Sequence, residues 1–174
     1  THLVGAIFAF FGLLAMVIKS AYESHSALQL TAVTIFGISM ILLYSASATY
    51  HMVIAKDKVI AFFRRIDHSM IFILIAGSYA PFCLISLKGW FGWTIFSIVC
   101  VIALLGVCFK LIWFSCPRWL STTLYIAMGW IIVIATVPLS KALSINGLVL
   151  LIIGGILYTI GGFIYAIKPK CLSF

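Results

Sequence analysis

Two short segments carry the residue types that chemistry needs: SASATYH at residues 45–51 and RRIDHS at residues 64–69. Ser47 and His51 are four residues apart. On a helix that spacing puts both side chains on one face, about 6 Å apart along the axis, so the hydroxyl can support whatever the imidazole binds. Fifteen residues separate His51 from Asp67, enough for a short loop that returns the chain alongside itself. An imidazole and a carboxylate facing one point are zinc ligands, and a metal ion would cancel the penalty of an ionised Asp67 where water is scarce. A plainer reading stands beside this one. Asp67 pairs with Arg64 or Arg65 at a membrane boundary, or acts as a favourable anion near the amino end of its helix, and His51 is a hydrogen-bonded boundary histidine.

The remaining histidines are weaker candidates. His68 adjoins Asp67 and points about 100° away from it on a helix, so it either supports the site or faces the interface. His2 opens the first helix on the same side and is expected to be a supporting hydrogen-bond partner rather than a ligand. His25 is assigned no role. Ser78 stands about 16 Å along the helix from Asp67, too far to share an ion. With Tyr79 beside Pro81, it is expected to satisfy backbone groups freed by a proline kink or to line a cavity.

These residues must be positioned by membrane spans. Of the 174 residues 65% are hydrophobic and 8% charged, and the mean hydropathy is +1.29, which excludes soluble enzyme folds. Charge-free apolar stretches cover residues 3–18, 27–50, 69–87, 89–109, 119–140 and 142–167. A spanning helix needs about 20 such residues. The expected fold is all-α: one domain over residues 1–174, an antiparallel bundle of six transmembrane helices at about 3–20, 27–52, 68–87, 90–113, 119–139 and 144–167. Lys19 lengthens the short first span by snorkelling. Pro81 and Pro138 are expected to kink the third and fifth spans. The glycine pairs Gly154, Gly155 and Gly161, Gly162 are expected to serve close helix packing.

The formal net charge of +8 sets eleven basic residues against Glu23, Asp57 and Asp67. The bases fall singly or in small groups between apolar runs, not on one face, so a nucleic-acid partner is excluded and anionic lipid headgroups are the expected neighbours. Lys56, Lys58, Arg64, Arg65, Lys110, Arg118, Lys168 and Lys170 fall on one side of the membrane, and Lys19, Lys88 and Lys141 on the other. Basic loops are held inside. The chain therefore reads as a multi-pass protein of the cell membrane with its amino terminus inside, and His51 and Asp67 lie at the inner leaflet. Trp90, Trp93, Trp113 and Trp119 flank the third and fourth loops as interfacial anchors. Cys83, Cys100, Cys108, Cys116 and Cys171 show no CxxC or paired spacing and are expected to be free thiols.

Taken together, SASATYH, RRIDHSMIFILIAGSYAPF and LYIAMGW at residues 124–130 resemble the bacterial hemolysin III family, which belongs with the progestin and adipoQ receptors. The resemblance covers nearly the whole chain. It implies seven membrane helices, an amino terminus inside, and a zinc site similar to that of alkaline ceramidases. In that pattern His51 matches the histidine of the second helix, Asp67 the aspartate of the third, and Ser47 the serine four residues before the histidine. Two further histidines, spaced H-x-x-x-H, belong to a seventh helix that these 174 residues do not include, so at most half of the coordination is expected here.

The implied function is zinc-dependent hydrolysis of a lipid amide drawn from the membrane. His51 and Asp67 would hold the ion, Asp67 would also orient the attacking water as base, and Ser47 would donate a hydrogen bond to the developing oxyanion or to a ligand. Two other classes stand beside it: a pore-forming hemolysin, which would want a polar stripe along several helices, and a receptor or membrane-homeostasis protein with a structural zinc.

Overall fold

The computed structural model describes residues 2–23, 26–113 and 116–167, apart from the side chain of Arg118. His25, Lys168, Lys170 and Cys171 lie outside the described residues. The chain is all-α, and six stretches are long and apolar enough to cross a membrane. A helix closes its own backbone hydrogen bonds, which lipid cannot do for it. In order these are α1 (His2–Glu23), α2 (Ala27–Met52), α3 (Asp57–Ala80) running on through a π-turn (Pro81–Ser86), α4 (Gly89–Ile112), the fifth span, and α7 (Ile145–Ile167). The fifth span is built from α5 (Arg118–Trp130), a 3-10 turn (Ile131–Ala135) and α6 (Thr136–Ala142).

The third helix begins eleven residues earlier than the hydropathy suggests. Lys56 is extended at its amino end, and its carbonyl accepts from the Val59 and Ile60 N–H groups at 2.8 and 3.2 Å. Asp57 occupies the first turn, where the helix dipole favours an anion. The second loop therefore shrinks to residues 53–56, and Lys58, Arg64 and Arg65 ride on α3. Asp67 stands about 15 Å inside the helix. The role of an anion at the amino end belongs to Asp57, which corrects that reading of Asp67. At the other end of the chain α1 continues to Glu23, whose carboxylate is 3.9 Å from Lys19 in an exposed i,i+4 pair that contributes little.

Both prolines mark departures from α geometry. Pro81 has no N–H to donate, and after it the ladder widens to the π pattern, with the Leu87 N–H donating to the Phe82 carbonyl at 2.9 Å. Ser78 donates to the Ile75 carbonyl at 2.7 Å. It does not serve Gly77, the residue whose α-helical partner Pro81 would have been, so the expected role of Ser78 at the kink is not the one observed. The 3-10 turn ends three residues before Pro138.

The chain forms two compact units, Thr1–Phe114 and Ser115–Phe174. In the first, successive helices α1 to α4 pack antiparallel, and glycines set the approach. A Cβ at Gly37 would meet Leu13 of α1, one at Gly77 would meet Ser39 of α2, and one at Gly106 would meet the Phe72 ring of α3. Ala32, Ala80 and Leu84 form a buried cluster with Ile35, Ile85 and Phe96 against it. Outward faces are apolar, with Phe8, Leu104 and Ile112 among many exposed large side chains, as lipid requires.

In the second unit α5 packs on α7. Gly129 faces Tyr158, and Gly162 faces Ile126. The Tyr158 hydroxyl donates to the Tyr125 carbonyl at 2.7 Å, and the Trp130 indole N–H donates to Thr159 Oγ1 at 3.0 Å. Of the four glycines expected to pack, only Gly162 meets a neighbour among the described residues. Tyr158→Phe removes a half-buried hydrogen bond and is expected to cost about 1 kcal/mol, read as a fall of about 3 °C in the melting temperature of the detergent-solubilised protein. An unchanged melting temperature would show that this bond does not hold α7 to α5.

Candidate metal site

Ser47 and His51 lie on the last two turns of α2. Ser47 is buried and His51 is exposed, so the hydroxyl faces the protein while the imidazole sits at the rim. The His51 ring is placed by two neighbours. Its centroid is 5.2 Å from that of His2, at an interplanar angle of 35°, and 4.9 Å from that of Tyr50. The packing of α1 on α2, which brings Leu13 to Gly37, carries His2 to the same end as His51. His2 thus accompanies His51 as a ring neighbour.

Asp67 and His68 sit together on α3. His68 Nδ1 is 3.8 Å from Asp67 Oδ2 and 2.8 Å from the Arg64 carbonyl. A carbonyl only accepts, so Nδ1 carries the proton and donates. Both side chains are largely enclosed, at 17% exposure for Asp67 and 23% for His68. Ser69, next along, is buried and donates to the Arg65 carbonyl at 2.8 Å.

The level of Asp67 relative to His51 follows from the contact between α2 and α3. Gly77 faces Ser39. Because the two helices run antiparallel, ten residues back from Gly77 reaches Asp67 while ten onward from Ser39 reaches Thr49. Asp67 is therefore level with the turn of α2 that has Ser47 on one side and His51 on the other, and buried Ser69 is level with buried Ser47. The donor types suit zinc, but their number does not complete a shell: tetrahedral zinc takes four ligands, and among the described residues no three His, Cys, Asp or Glu side chains gather as a metal-holding group. Cys83, Cys100, Cys108 and Cys116 form no disulfide among the described residues.

The burial of Lys110 was missed. Counted by sequence as a loop anchor, it lies within α4 and is 4% exposed. A signal was available, since Leu111, Ile112 and Trp113 follow it and extend the apolar run past the lysine.

Comparison with known proteins agrees with this architecture. Residues 1–173 match the family described as Haemolysin-III related. The chain is 41% identical over 157 residues to Hemolysin-3 of Bacillus cereus, an overlap of 89% of this chain and 70% of that protein. It is 42% identical over 155 residues to a Hemolysin-3 homolog of Bacillus subtilis (strain 168), an overlap of 89% of this chain and 72% of that protein. No solved structure matches. With six apolar spans in this order and a family match that runs nearly end to end, the chain belongs to the haemolysin-III-related family of multi-pass membrane proteins.

Proposed function

We propose that this protein is a zinc-dependent hydrolase of lipid amides, ceramidase-like, with its site at the inner face of the cell membrane and its amino terminus inside. The observation that carries the reading is the register of α2 on α3, which makes an imidazole, a carboxylate and a buried hydroxyl level with one another. His51 would hold zinc through a ring nitrogen and Asp67 through its carboxylate, with the remaining ligands supplied by a segment beyond these 174 residues. Zinc in such a place polarises an acyl carbonyl and lowers the pKa of bound water toward about 7. Asp67, enclosed but not sealed, is suited to orient a water as base. Ser47, one turn inward from His51, is suited to donate a hydrogen bond to the oxygen on which charge develops. Bound between helices, a lipid amide would keep its chains in the apolar layer.

The test is fatty-acid release from a ceramide-like lipid in liposomes containing the full-length protein. Chelation is expected to abolish release and added zinc to restore it. Release that survives complete zinc removal discards the mechanism. Leakage of an entrapped dye without any release would favour a pore instead, and tightly held zinc with neither activity would favour a receptor with a structural ion.

A further inference from the structure

The His51 imidazole is exposed near the end of α2, and what steadies it comes from another helix. Gly5 of α1 faces the Tyr44 ring so closely that a Cβ there would crowd it. The helices are antiparallel, so three residues back from Gly5 is His2, level with the residue three on from Tyr44, which is Ser47. His51 stands one turn beyond. Side chains lean toward the amino end of their own helix. His2 therefore reaches outward past the start of α1 while His51 reaches back along α2, and the rings meet at a centroid distance of 5.2 Å with 35° between their planes.

A ligating histidine is ordinarily held by an outer hydrogen bond from its second ring nitrogen, which sets the direction of the ring. His68 shows that device on α3, with Nδ1 bonded to the Arg64 carbonyl. Among the described residues His51 has no such bond. Its contacts are the His2 ring and, at 4.9 Å, the ring of its chain neighbour Tyr50. Tyr50 belongs to α2 and moves with His51, whereas His2 comes from α1 and can fix the ring relative to the bundle. An imidazole free to turn about its side-chain bonds must be ordered when a metal binds, and one already held need not be.

We propose that His2 is a positioning residue that fixes the direction of the His51 imidazole by ring contact from α1, in place of an outer hydrogen bond. The ring pair is independent of any metal, and only its use, aiming a ring nitrogen at zinc, rests on the zinc-hydrolase reading.

The experiment compares His2→Ala and His2→Phe with the unsubstituted full-length protein. Phenylalanine keeps a ring and removes both nitrogens. Zinc affinity is read by competition with a chromophoric chelator, and melting temperature and the carbon-13 relaxation of the His51 ring are read on zinc-free protein. His2→Ala is expected to weaken zinc binding about 10-fold, the lower end of the range for a lost outer partner, and to make the His51 ring more mobile. Its melting temperature is expected to stay within about 1 °C, since an exposed side chain contributes little to stability. His2→Phe is expected to match the unsubstituted protein in all three readings. Unchanged zinc affinity in His2→Ala, or equal His51 ring motion in all three proteins, overturns the proposal. So does a His2→Phe protein as weak as His2→Ala, which would make a His2 nitrogen the active group, and so does a lowered melting temperature for His2→Ala, which would make its role structural. Absence of zinc from the unsubstituted protein condemns the zinc reading alone, because ring motion in the zinc-free protein still decides the His2 assignment.

Discussion

Full-length protein carrying His51→Ala or Asp67→Ala is expected to purify with zinc reduced from about one ion per chain to background, and to release no fatty acid from a lipid amide. The size of the effect follows from what remains. Removing even an outer hydrogen-bond partner of a ligand costs about 10–100-fold in metal affinity, and removing a ligand costs more. Ser47→Ala separates the roles: it leaves the metal in place and slows release by about 10²-fold, the scale of a lost oxyanion donor. Metal analysis by mass spectrometry and a fatty-acid assay read both quantities on the same preparations. If His51→Ala and Asp67→Ala both retain full zinc, these two residues are not its ligands. If Ser47→Ala loses zinc as they do, the hydroxyl supports a ligand rather than the reaction.

The six spans were legible because long charge-free runs leave a chain in lipid no alternative to helix. The start of α3 was not. Residues 57–66 carry Lys58, Arg64 and Arg65, which lower hydropathy, yet Ile60, Phe63 and Ile66 keep the helical spacing of one apolar stripe. Periodicity, not mean hydropathy, held the information, and missing it put Asp67 at a helix end where Asp57 belongs. The spacing of Ser47 and His51 was readable as a single face. The level of Asp67 against them was not, because it depends on one contact between Ser39 and Gly77, thirty-eight residues apart. Lys110 failed for a different reason: counting bases by loop treats every lysine as an anchor, and burial at a contact between helices is invisible to that count. The glycine pairs of α7 show the converse, since a motif suited to close packing meets a neighbour only at Gly162 among the described residues.

Gly77→Ala is expected to lower the melting temperature by about 5 °C and weaken zinc binding, although it adds a single methyl group. That methyl would overlap both the Cβ and the Oγ of Ser39, and the Ile35 carbonyl lies 3.5 Å away. A Cβ is fixed to its backbone, so rotating the serine cannot relieve the overlap and α2 must move off α3. The same movement lifts Asp67 from the level of His51, which ties the loss of stability to the loss of metal. Gly154→Ala is the control, because among the described residues nothing stands within 4 Å of the new atom and alanine is the better helix former by about 1 kcal/mol. Its melting temperature is expected to stay or rise, with zinc unchanged. Ser39→Gly combined with Gly77→Ala moves the small residue to the opposite helix, reopens the space, and is expected to restore both readings. Equal behaviour of Gly77→Ala and Gly154→Ala, or a double variant no better than Gly77→Ala, would mean that the contact between Ser39 and Gly77 does not set the register on which the site depends.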